Sequence, residues 1–112
     1  MFKLRSAFNS IVKLRYADLL LLKAEALIQQ GSDLSGAADI IDKIRTRAKL
    51  PKISAAVRSN KDALLDAYLK ERRLELAFEG QRWFDLVRLD KVESVMNAVY
   101  AKDAGRKAQV YP

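Results

Sequence analysis

The chain predicts an all-α fold, and three observations predict it. Apolar residues recur at the helical period along Leu14–Gln30, Ser35–Ala48 and Lys61–Glu79. Glycine or proline stands at or just beyond the end of each run, at Gly31, Pro51 and Gly80. No segment alternates apolar and polar residues with the period of two that a half-buried strand requires. The expected architecture is a tetratricopeptide-like helix hairpin followed by a long helix and shorter C-terminal helices.

The first helix is expected from Leu14 to about Gln30. Leu14, Ala17, Leu20, Leu21, Ala24, Leu27 and Ile28 make one core stripe, while Leu19, Leu22 and Ala26 make a second apolar strip on the other side. A helix apolar on two sides is sandwiched between neighbours, so the second strip asks for a partner subunit or for more polypeptide. Tyr16 reads as a packing residue of this helix. Gly31 ends it, and Ser32 to Gly36 supplies turn and cap chemistry for the next. The second helix, about Ser35–Ala48, turns Ala37, Ile40, Ile41, Ile44 and Ala48 inward, and residues 14–50 form the hairpin.

Pro51 stops the second helix, and Lys52–Asn60 reads as a loop with room for one helical turn at Ala55-Ala56-Val57. The third helix runs from Lys61 to Glu79, where Gly80 breaks it. A fourth, Gln81–Leu89, carries Trp83, Phe84, Leu86 and Val87, and helical spacing beside Leu86 and Val87 places Trp83 and Phe84 in the core. A fifth, Lys91–Ala101, turns Val92, Val95, Met96 and Val99 inward. Lys102–Pro112 reads as loose. Residues 61–101 thus make a second helical block, and residues 1–112 one domain.

Composition narrows the chemistry. A 112-residue chain folds as one domain and buries about 65% of its unfolded surface. The absence of cysteine removes disulfides, thiol nucleophiles and thiolate zinc sites; the absence of histidine removes the commonest general base and metal ligand. The net charge of +7 is uneven: residues 1–60 carry 11 Lys/Arg against 5 Asp/Glu, and the rest 10 against 9. Its densest run is Lys43, Arg45, Arg47, Lys49, Lys52 and Arg58. Without interleaved aromatics or a glycine-rich loop, this run reads as a solvated helix end complementing the dipole rather than a nucleic-acid footprint. The apolar run Leu19–Leu22 lies between Asp18 and Lys23, too short for a signal core or a membrane span.

The segment Glu71–Arg88, ERRLELAFEGQRWFDLVR, is the most informative. Wound as one helix, Lys61–Glu79 puts Leu64, Leu65, Ala67, Tyr68, Leu69, Leu74, Leu76 and Phe78 over one broad side, with Asp66, Lys70 and Arg73 on the wet strip. Glu71, Arg72, Glu75 and Glu79 fall inside the apolar arc, where an unpaired charge costs several kcal/mol, on the order of magnitude of a large mutational effect. The expected reading is a structural ion network of Glu71, Arg72, Glu75, Glu79, Arg82 and Arg88, with Arg82 and Arg88 answering the glutamates from the next helix and Arg72 from within. Arg72→Ala or Glu75→Ala would then cost about 3 kcal/mol or more.

Catalytic alternatives fare worse. Glu71, Glu75 and Glu79 share a face as a glycosidase or two-metal site would require, but no histidine joins them and the face is one that should be covered. No Gly-x-Ser-x-Gly elbow, P-loop or dinucleotide fingerprint occurs. The expectation is no enzyme, no cofactor and no metal.

Three blocks in order carry a family resemblance: LRYADLLLLKAEAL (Leu14–Leu27), IIDKIRTRAKL (Ile40–Leu50) and ERRLELAFEGQRWFDLVRLDK (Glu71–Lys91). Over about 85 residues the chain resembles the C-terminal region of the SusD/RagB family, outer-membrane nutrient-binding lipoproteins. Leu89 stands where that family often has a second tryptophan, and the chain stops at Val110-Tyr111-Pro112 where the family continues. The resemblance implies a piece of a larger cell-surface lipoprotein that captures glycans or other nutrients and passes them to a TonB-dependent outer-membrane transporter. The family's anchoring cysteine would then lie in a part not included here. Trp83 and Phe84 look like family scaffold, so no ligand-binding residue is carried over. The alternative is a stand-alone helical module that docks a peptide. No nucleic acid is expected, and uncovered apolar strips would favour self-association of the piece.

Overall fold

A computed structural model describes residues 14–101. Six helices and no strand occur among the described residues: α1 (Tyr16–Gln30), α2 (Leu34–Arg47), α3 (Ala55–Arg58), α4 (Lys61–Glu75), α5 (Arg82–Arg88) and α6 (Val92–Tyr100). The fold is all-α. The reading of Lys102–Pro112 as loose falls outside the described residues.

The hairpin forms as its punctuation dictates. Gly31 takes a left-handed φ of 69°, and its N–H returns to the carbonyls of Leu27 and Ile28, closing α1. Asp33 then caps α2, accepting from the Gly36 N–H at 2.7 Å. The two helices run antiparallel, since Tyr16 at the start of α1 lies beside Lys43 near the end of α2. Lys49, at φ 57°, turns the chain out of α2 two residues before Pro51, with the Leu50 N–H donating to the Arg45 carbonyl at 2.8 Å.

The core is a three-helix layer. Leu21, Ala24 and Ile28 of α1, Ala37, Ala38, Ile41 and Ile44 of α2, and Leu64, Tyr68 and Leu69 of α4 pack into one cluster with Leu76. Each fully buried Leu or Ile contributes roughly 1.5–3 kcal/mol relative to exposure. α4 crosses both arms of the hairpin, α3 fills the angle between α2 and α4, α5 hangs on α4, and α6 packs on α5. Leu86 of α5 and Val92 of α6 are the buried apolar anchors of that last pair.

Four expectations are corrected here. α4 ends at Glu75, four residues early, and residues 76–80 are turn. Arg15 supplies a reason: its Nη2 donates to the Glu75 carbonyl at 2.8 Å, satisfying a terminal group that a longer helix would have used itself. Phe78 therefore leaves the predicted apolar arc and stands fully exposed at φ 66°, and Leu74 is exposed as well. Leu14, Ala48 and Val99 are exposed rather than inward: Leu14 precedes α1, Ala48 follows α2, and Val99 lies in the last turn of α6. Tyr16, Trp83 and Phe84 are 68%, 53% and 67% exposed, not core; Tyr16 keeps the Lys43 ammonium of α2 5.9 Å over its ring.

Candidate functional site

The most organised polar feature is a buried charge joint where α1, α4 and α5 meet. Each helix contributes two residues on one face: Asp18 and Glu25 two turns apart on α1, Tyr68 and Arg72 one turn apart on α4, Asp85 and Arg88 at i, i+3 on α5. Arg72 is the centre. Its Nε donates to Asp85 Oδ2 at 2.7 Å and its Nη1 to Asp18 Oδ1 at 2.6 Å. Arg88 grips the other Asp85 oxygen, Nη2 to Oδ1 at 2.9 Å, and reaches back to α1, where Nη2 donates to Glu25 Oε2 at 2.6 Å and Nη1 to Glu25 Oε1. The Tyr68 hydroxyl donates to Glu25 Oε2 and completes the chain.

The electrostatics follow from this packing. Burial opposes the Arg72 charge, but its hydrogen bonds to Asp85 and Asp18 and the charge of Asp85 prevail, holding the guanidinium above its ordinary range. Arg88 is raised chiefly by its hydrogen bond to Glu25. Burial, reinforced by the Glu25 carboxylate, raises the Tyr68 phenol, which therefore stays neutral.

The three glutamates go elsewhere. Glu71 meets Arg45 of α2 at 2.8 Å, and Arg45 also donates through Nε to the Pro51 carbonyl at 2.7 Å. Glu75 lies between Arg15, at 3.1 Å, and Arg47. Arg15 also holds Glu79 at 2.7 Å. Also on α2, Asp42 accepts from Arg58 at 2.6 Å and from the Ile53 N–H at 2.7 Å, fixing the loop before α3.

All six residues named from the sequence thus meet polar partners, but not the partners expected. Arg82 donates to the Leu69 carbonyl at 3.2 Å and makes no ion pair with the glutamates. Arg88 turns to Glu25 and Asp85 instead. Arg72 is occupied by Asp18 of α1 and Asp85 of α5, while Glu71 and Glu75 of its own helix are answered by Arg45, Arg15 and Arg47. Sequence reasoning missed Asp18, Glu25 and Asp85. A signal existed on α1: Asp18 and Glu25 sit inside the Ala17, Leu21, Ala24, Ile28 stripe, where a wet charge has no place.

This arrangement spends its charges on one another. Among the described residues, every fully buried side-chain nitrogen or oxygen has a partner. Arg45, Arg47 and Arg58, half of the dense basic run, are engaged by Glu71, Glu75 and Asp42. No group of three acidic side chains among the described residues converges as a metal site. No described helix is long and apolar enough to cross a membrane.

Comparisons with known proteins give the chain its place. It matches the SusD family over residues 6–110. It is 44% identical over 97 residues to SusD-like protein P38 of Formosa agariphila, covering 81% of this chain and 19% of that protein. It is 33% identical over 90 residues to SusD-like protein P2 of the same organism, covering 76% and 18%, and 33% identical over 87 residues to a SusD-like protein of Bacteroides ovatus, covering 76% and 14%. The chain therefore spans no more than about a fifth of the length of these relatives. No solved structure matches it significantly. With the family matched across nearly all of its residues, and with relatives 33–44% identical, this chain belongs to the SusD family.

Proposed function

We propose that this chain is a non-catalytic scaffold segment, the C-terminal helical part of a SusD-like outer-membrane protein that captures glycans or other nutrients for a TonB-dependent transporter. The family match over residues 6–110 carries the reading. Its share of the relatives, below a fifth, supports a segment's role within a larger protein. On this reading the whole protein is a lipoprotein at the cell surface, and capture and hand-off proceed without covalent chemistry.

Within the segment, Arg72 and Arg88 with Asp18, Glu25 and Asp85 set the angles of α1, α4 and α5, while Glu71 and Glu75 tie α4 to Arg45 and Arg47 of α2. Hydrophobic contact alone is non-directional, whereas Arg72 and Arg88 accept one geometry of three carboxylates on two other helices. The exposure of Leu19 and Leu22 on the outer face of α1 supports a further neighbour. It equally supports the second reading, a stand-alone interaction module.

An immunoblot of fractionated source cells separates the two. A band several times heavier than 12.7 kDa in the outer-membrane fraction is expected. A soluble band near that mass would overturn the scaffold reading and favour the module.

A further inference from the structure

The turn between α4 and α5 carries a cleft that neither the charge joint nor the hairpin uses. It is a shallow hollow of about 540 Å³, lined by Leu74, Phe78 and Trp83 together with Arg73 and Arg82. All three apolar walls are exposed, although contiguous exposed apolar surface is what a folded chain otherwise minimises. Phe78 is held out at a left-handed φ of 66°, a conformation that costs a non-glycine residue about 1–2 kcal/mol.

The two guanidiniums supply the chemistry. Among the described residues neither Arg73 nor Arg82 forms an ion pair, in a protein where Arg15, Arg45, Arg47, Arg58, Arg72 and Arg88 all do. Arg82 spends one N–H on the Leu69 carbonyl. Burial and the like charge of Arg73 disfavour its charged form and outweigh the more weakly felt charge of Asp85, a tension that a carboxylate placed between the two arginines would relieve. The lining includes no carboxylate or carboxamide side chain, so it offers no side-chain acceptor for the hydroxyls of a sugar. A second copy of this chain is opposed by its own charge of +7.

We infer that the α4–α5 corner is a docking site for an acidic polypeptide segment, which sets a carboxylate between Arg73 and Arg82 and an adjacent apolar side chain against Leu74, Phe78 and Trp83. Arginine forks suit carboxylates, and an aromatic wall beside them anchors a neighbouring Leu or Phe.

Trp83 is the chain's only tryptophan and reports on the cleft directly. A displayed library of random twelve-residue peptides is selected on the 112-residue chain, and the enriched peptides are synthesised and titrated against Trp83 fluorescence. The expected peptides pair Asp or Glu with Leu, Phe or Trp, perturb Trp83, and lose at least tenfold in affinity when their acids become amides. Arg73→Gln and Phe78→Ser, both at exposed positions, should each weaken them tenfold or more while leaving the circular dichroism unchanged. Enrichment without acidic residues, or peptides that bind both variants as well as the parent, would overturn the inference. So would Trp83 quenching by a polyuronate with none by any peptide, or a dimer in sedimentation that Phe78→Ser abolishes.

Discussion

Arg72 and Asp85 meet at 2.7 Å, thirteen residues apart in sequence, with each side chain only 4% exposed. This contact is where α5 is fastened to the three-helix core. Asp18 shares the same guanidinium from α1 at 2.6 Å. Removing the cation would leave Asp18 buried without a charged partner and Asp85 held by Arg88 alone. Arg72→Ala is expected to cost about 3–5 kcal/mol in urea unfolding followed by circular dichroism. A loss below about 1 kcal/mol would mean that water reaches the joint.

Glu75 is a different case despite its position one turn away. Its partners Arg15 and Arg47 retain access to water, so they rehydrate when the carboxylate goes. Glu75→Gln is expected to cost about 1–2 kcal/mol, clearly less than Arg72→Ala, in the same assay. Equal losses would place both sites in one continuous network.

Tyr68 links the joint to pH. Its folded pKa lies above the ordinary value of 10.0, first through burial and then through Glu25. The folded state thus holds the phenolic proton more tightly than the unfolded state. That stability is fully present below pH 10 and is lost as pH rises above it. Tyr68→Phe should cost about 1–2 kcal/mol at neutral pH and should flatten the alkaline decline of the parent. Parallel declines for the two proteins would assign the effect to other groups.

Phe78 contributes no burial and occupies a left-handed conformation. Phe78→Gly relieves that strain but loosens the unfolded chain, so the net effect is expected to lie between zero and about 1 kcal/mol of stabilisation. A loss above about 1 kcal/mol would show that the ring packs on something in solution.

Trp83, more than half exposed, should emit at the long wavelengths of a hydrated indole and be quenched freely by acrylamide in the isolated chain. A blue-shifted, protected emission would restore it to a core.

Helix type and order were legible because the relevant signals are local, and α3 was foreseen only as one turn within a loop. The 3.6-residue period, the φ freedom of Gly31 and the ring of Pro51 act within a turn or two of themselves. The end of α4 was not, since Arg15, sixty residues upstream, takes the Glu75 carbonyl. Burial of Glu71 and Arg72 was also legible, from their place in the apolar arc. Their partners were not. Arg45, Asp18 and Asp85 come from three other helices, and no spacing along one helix specifies what a neighbouring helix brings.

Sequence by itself thus determined the all-α class, the hairpin, the burial of Glu71 and Arg72 though not of Glu79 and, through three ordered blocks, the SusD family. Tertiary structure alone decided which charges meet and which aromatic rings stay wet. Hydrophobic periodicity tells a residue to leave water, and it does so from one helix at a time. A salt bridge is a distance between two helices, and that distance exists only once they have packed.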